Sequence, residues 1–131
     1  MNLSSELSKN IFAKTRDDII QREFDILNNN GKGIISSSLS KLMNNFSDNQ
    51  KEIIKQILID SIDATLHELC LNLDENQYVK IMGYQDGYHI DMKEEHDENL
   101  VGLLLDAIDT YGKYNTIYDI VTKNASIEKM V

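Results

Sequence analysis

Residues 49–76 read NQKEIIKQILIDSIDATLHELCLNLDEN, and this stretch decides the fold. Leu58, Ile62, Leu66, Leu69 and Leu73 recur at steps of three and four, so they fall on one side of an α-helix. Ile53, Ile57, Ala64, Cys70 and Leu71 fall on its other sides. A helix apolar around most of its circumference is covered by neighbours. The expectation is a long central helix on which the rest of the chain packs.

Upstream, Leu3, Leu7 and Ile11 repeat every four residues, and Ile19, Ile20, Phe24 and Leu27 continue a helical spacing. Residues 4–27 therefore read as helix, with a break near Thr15 where Thr-Arg-Asp-Asp can cap a second piece. Asn28-Asn29-Asn30-Gly31-Lys32-Gly33 ends it, because Asn and Gly tolerate left-handed backbone. Ser36, Ser37 and Ser38 are candidate N-caps of a short helix through Leu39, Leu42, Met43 and Phe46. Ser47-Asp48-Asn49 then caps the central helix.

Downstream of Asn76 the period changes. Residues 78–84, YVKIMGY, alternate as a strand does, and residues 88–92, YHIDM, read as its return. Between them Asp86-Gly87 is a pair favoured in tight hairpins. Two strands alone are marginal, so the hairpin must pack on a helix or another strand. Asp97 is the expected cap of a helix carrying Leu100, Val101, Leu103, Leu104, Leu105 and Ile108. Ile117, Ile120 and Val121 suggest one more short helix, and residues 125–131 a frayed tail.

The chain has 131 residues, 41% hydrophobic and 27% charged, which suits one soluble domain with one core. No apolar run approaches the roughly 20 residues needed to span a bilayer. The first residues lack the basic start and apolar block of a secretory signal. Cys70 is the sole cysteine, so no internal disulfide forms and a reducing, cytoplasmic setting is expected. Net charge is −9, and it is uneven. Residues 1–59 carry eight Lys/Arg against seven Asp/Glu, whereas residues 60–131 carry five against fifteen. Such acidity repels nucleic acid and anionic lipid, and it attracts basic protein surfaces.

Three patterns invite chemistry. The loop from Asn28 spaces Gly33 and Ile35 as an EF-hand does, but it holds no carboxylate and carries Lys32, so a plain helix–turn–helix connection is expected. Asp60, Asp63 and His67 share one helix face at spacings of three and four. Two carboxylates and an imidazole suit a divalent metal or acid–base work, which makes a metal-dependent enzyme the alternative reading. The plainer reading is an i, i+4 pair of Asp63 and His67. Cys70, among leucines, reads as a small buried hydrophobe. Tyr78, Tyr84, Tyr88, Tyr111, Tyr114 and Tyr118, many beside acidic residues, form either a contact surface or a roof over the core.

The segment IDSIDATLHEL at residues 59–69, followed by Leu73-Asp74-Glu75-Asn76 and a strand, resembles a group of small bacterial proteins of unassigned function. Residues 96–104 and 111–115 match their later part loosely. The chain is similar in type to immunity proteins of bacterial polymorphic toxin and contact-dependent inhibition systems. The resemblance implies a non-enzymatic, cytoplasmic binding protein that needs no cofactor or metal. Its partner would be a cognate toxin with a basic surface, and neither nucleic acid nor membrane. By charge and exposure, the nominated contact residues are Tyr84, Asp86, Tyr88, Asp91, Glu94, Glu95, Asp97 and Glu98. The alternative to both readings is a regulatory or scaffolding interaction module. The expected fold is α+β: helices over residues 1–76, a small antiparallel hairpin at 78–92, and C-terminal helices within 97–124.

Overall fold

Asn2 starts the first helix, its Oδ1 accepting the Ser5 N–H at 2.7 Å. In the computed structural model, which describes residues 2–95 and 98–130, helical backbone then runs unbroken to Leu27. Helix α1 (Leu3–Ser5) passes into a π-helical segment (Glu6–Ala13) and on into α2 (Lys14–Leu27). The winding changes at Lys14, close to where a break is expected. It also decides what is buried. Hydrogen bonds of the i→i+5 type give roughly four and a half residues per turn. Buried positions therefore recur at steps of five, Leu7 with Phe12 and Ser8 with Ala13. The expected repeat Leu3, Leu7, Ile11 fails for this reason: Ile11 is exposed and Phe12 lies inside.

The remaining elements are α3 (Ile34–Leu42), a 3₁₀ turn (Met43–Asn45), α4 (Asp48–Glu75), β1 (Met82–Gln85), β2 (Tyr88–Asp91), α5 (Met92–Glu95), α6 (Leu100–Tyr111) and α7 (Ile117–Lys123). The architecture is α+β, helix-rich, with one two-stranded antiparallel sheet among the described residues. The long helix stands where expected. Ser47 and Gln50 start it reciprocally: Gln50 N–H donates to Ser47 Oγ at 3.2 Å, and Ser47 N–H to Gln50 Oε1 at 2.9 Å. Its expected all-round cover is not observed, because Ile53, Ile57 and Leu69 are exposed. The residues turned to apolar neighbours are Ile54, Leu58, Ile59 and Ile62 in its first half, and Leu66, Cys70 and Leu73 in its second. That is a stripe, with Cys70 in the place expected of Leu69.

Two compact units are present, Met1–Arg16 with Ala64–Lys113 and Asp17–Asp63 with Tyr114–Val131. The buried apolar side chains likewise form two clusters, one in each unit, where the sequence suggests one core.

In the first unit the π segment packs on α6, and Leu7, Phe12, Ala13, Leu100, Leu103, Leu104, Ala107 and Ile108 make most of the core. Asp74, near the end of α4, holds the start of α6. Its carboxylate accepts the Leu100 N–H at 2.8 Å and the Val101 N–H at 3.1 Å. Asn99 completes the cap by accepting the Gly102 N–H. Asp97, expected in that role, lies outside the described residues. Lys93 Nζ in turn donates to the Asp74 carbonyl at 2.7 Å, a cation on the C-terminal end of α4. At the other end of α6, Arg16 is fully buried. A methyl group on Gly112 would lie 3.2 Å from Arg16 Nη1 and 2.7 Å from the Ile108 carbonyl. Close approach, rather than backbone conformation, therefore demands glycine there.

The hairpin is shorter than the expected 78–92. Asn76 Oδ1 accepts the N–H groups of both Tyr78 and Val79 at 2.8 Å, which turns this chain aside before the ladder begins. Met82 pairs with Asp91, Gly83 with Ile90, Tyr84 with His89 and Gln85 with Tyr88. Asp86 (φ 53°) and Gly87 (φ 83°) make the two-residue turn with both φ positive that Asp-Gly favours. The hairpin packs through Gly83, where any side chain would strike Leu3 and Met92.

In the second unit Ile20, Phe24, Leu27, Ile59 and Tyr114 form the buried core. The Tyr114 ring meets Phe24 edge-on with centroids 5.4 Å apart, and its hydroxyl donates to Gln21 Oε1 at 2.8 Å. The serines near the start of α3 are not its caps. Gly33 (φ 89°) holds the cap position, so the helix begins at Ile34. Ser40 Oγ donates to the Ile26 carbonyl and accepts the Gly31 N–H, each at 3.0 Å, while Ser37 Oγ donates to the Gly31 carbonyl. Residues 125–130 are also more ordered than expected. Asn115 N–H donates to the Ile127 carbonyl at 2.8 Å, Tyr114 bridges Glu128, and Ile127 packs on the core.

Candidate functional site

Strand alternation places Met82, Tyr84, His89 and Asp91 on one hairpin face and Gly83, Gln85, Tyr88 and Ile90 on the other. Gly83 faces the core. The opposite face carries Tyr84 and His89, both exposed, with ring centroids 5.4 Å apart and planes inclined by 52°. Tyr84 and Tyr88, nominated together, therefore point to opposite sides. Tyr88 stands exposed at the turn beside Asp86. Helix α5 continues directly from β2 and exposes Glu94 and Glu95. A tyrosine–histidine pair, an acidic turn and two exposed glutamates thus lie along one short run of chain.

Two nominated carboxylates are already engaged. Asp91 accepts the Lys93 N–H at 2.9 Å and pairs with Lys80 at 3.2 Å. These contacts hold its carboxyl below the usual range, the Lys93 N–H contributing most. It serves as the cap of α5 more than as an open contact. Glu98 hydrogen-bonds to the Asp106 carboxyl, and this bond, then burial and the Asp106 charge, raise its pKa. Asp97 lies outside the described residues. The open carboxylates of the nominated set are Asp86, Glu94 and Glu95.

The other candidates stand apart from this surface. Asp60, Asp63 and His67 all lie on α4, with Asp60 and His67 exposed and Asp63 half-buried. Among the described residues, no group of three His, Cys, Asp or Glu side chains converges as a metal site. Cys70 is buried, and burial, then the Asp74 charge, push its thiol up from 9.0 to about 11, which holds it as an unreactive thiol at neutral pH. Of the six tyrosines only Tyr114 is buried. Tyr78, Tyr84, Tyr88, Tyr111 and Tyr118 are exposed, as a contact role requires and a roof over the core does not. No described helix is long and apolar enough to cross a membrane.

The pairing of His89 with Tyr84 is absent from the sequence-based contact surface. A two-residue Asp-Gly turn pairs 85 with 88 and hence 84 with 89, so the signal was present in the spacing. Sequence reasoning missed the capping role of Asp74, whose partners lie 26 and 27 residues away. Comparison with known proteins finds no matching family model, no similar curated protein and no similar solved structure.

Proposed function

We propose that this chain is a binding protein of the immunity type, which neutralises a basic toxin domain through the hairpin and α5. The observation that carries this reading is the exposed run Tyr84, Asp86, His89, Glu94 and Glu95 on a short, well-capped scaffold. Tyrosine offers contact area and a hydroxyl at small entropic cost. Open carboxylates speed encounter with a basic partner and occupy sites where a nuclease would bind phosphate. The proposed setting is the cytoplasm, and no catalytic step is proposed. A regulatory module using the same surface would share its chemistry but not its partner.

The test is capture of a partner by the tagged full chain at low and at physiological salt, with the double variant Glu94→Lys/Glu95→Lys and the single variant Tyr84→Ala alongside. The expected result is one basic toxin fragment, held more weakly as salt rises, and weakened at least about tenfold by the double variant. A partner retained equally by all three chains would remove the hairpin and α5 from the interface. A stoichiometric acidic partner would remove the charge argument.

A further inference from the structure

Helix α3 is built inside out. Its buried side chains are serines, Ser36 at 7% and Ser40 at 6% exposure, and Ser40 is held to the body by the hydrogen bonds described above. Its apolar side chains face solvent: Ile34 is 89% exposed, Ile35 71% and Leu42 56%, with Leu39 and Phe46 also open. An amphipathic surface helix normally turns the other way. We propose that this face is the interface of a homodimer, in which α3 packs antiparallel against α3 of a second copy.

Three observations select a second copy as the occupant. The first is spacing. Ile35, Leu39 and Leu42 follow steps of four and three, the seam that packs knobs into holes against another helix, and Phe46 is exposed just beyond the 3₁₀ turn. The second is charge. Residues 26–47 hold Lys32 and Lys41 and no Asp or Glu, in a chain of net charge −9. Pairing through this face keeps the acidic half of each chain, with its fifteen Asp/Glu, out of the contact and leaves Lys32 and Lys41 of each copy near it, long side chains that can turn to solvent. An anionic lipid surface would be repelled by the chain as a whole. The third is area. At about 190 Å² for a fully open large side chain, the five apolar residues leave roughly 550 Å² uncovered. Two such faces brought together bury at most roughly 1,100 Å² from these residues, close to the ~1,000 Å² a specific contact needs and in the range of weak, reversible interfaces. An isologous contact satisfies both faces at once, and its small size suits a reversible rather than an obligate dimer.

Sedimentation velocity of the full chain from about 1 to about 200 µM tests the proposal over the range such an interface implies. The expected result is a reversible shift from monomer to dimer across the series. Ile35→Lys/Leu42→Lys is expected to stay monomeric throughout, with unchanged far-UV circular dichroism, since both side chains already face solvent. Leu42→Gln is expected to weaken the dimer at least about tenfold without adding charge. A wild-type chain that remains monomeric across the series overturns the proposal. A dimer undiminished in the double variant overturns it too. So does flotation of a monomeric chain with 3:1 phosphatidylcholine–phosphatidylglycerol vesicles, which would assign the face to lipid.

Discussion

Glu98 and Asp106 show how one side-chain pair couples structure to pH. In the folded chain the Glu98 carboxyl shares a hydrogen bond with Asp106, and a bond between two carboxyl groups requires a proton. Folding therefore raises the pKa of Glu98. A raised carboxyl pKa means the folded state binds more protons than the unfolded state within the window between the two values. Stability from this pair is full below the unfolded pKa and declines as pH rises through the folded one. Replacing Asp106 by Asn supplies a neutral donor and removes the like charge. In urea unfolding, the gain of Asp106→Asn over the parent is expected to be smallest near about pH 4 and to grow toward about pH 7, levelling once Glu98 has lost its proton. A gain independent of pH would show that the shared proton does not exist. The pair was not legible in the sequence, because an eight-residue separation across an irregular turn predicts no contact.

At the scale of elements, the joint between α4 and α6 is held by one side chain. Asp74 accepts two N–H groups from the start of α6, and Lys93 caps the end of α4 at the same joint. Asp74→Ala leaves those donors short of partners and is expected to lower stability by roughly 1–2 kcal/mol. Chemical denaturation measures this, and a loss below about 0.3 kcal/mol would mean that water replaces the carboxylate. Removing the nearby charge also relieves part of the upward push on the Cys70 thiol. The hairpin was legible because Asp-Gly specifies its turn locally. Its start was misread because the Asn76 side chain competes with the ladder for backbone donors. The docking of α3 was not legible. Serine before a helical run reads as a cap, and only the folded chain brings the Ile26 carbonyl and Gly31 N–H to Ser40.

Over the whole molecule, charge is the property read most directly from composition. With 22 acidic against 13 basic residues, mutual repulsion opposes the folded state, and salt screens it. The thermal midpoint at pH 7 is expected to rise by a few degrees between about 10 and about 150 mM NaCl. A midpoint that falls would mean that ion pairs such as Lys80–Asp91 outweigh the repulsion.

The sequence by itself determined the order of helices, the Asp86-Gly87 turn, the capped start of α4 and the acidic balance. Each rests on interactions within a turn or two of the chain, or on a sum of charges. Only the tertiary structure decided the π winding that buries Phe12 in place of Ile11, the narrow buried stripe of α4, the ordered residues near Ile127 and the outward face of α3. Those depend on which surfaces arrive from elsewhere in the chain. Hydrophobic burial has no direction of its own, so a local pattern can mark a side chain as apolar without saying whether anything will cover it.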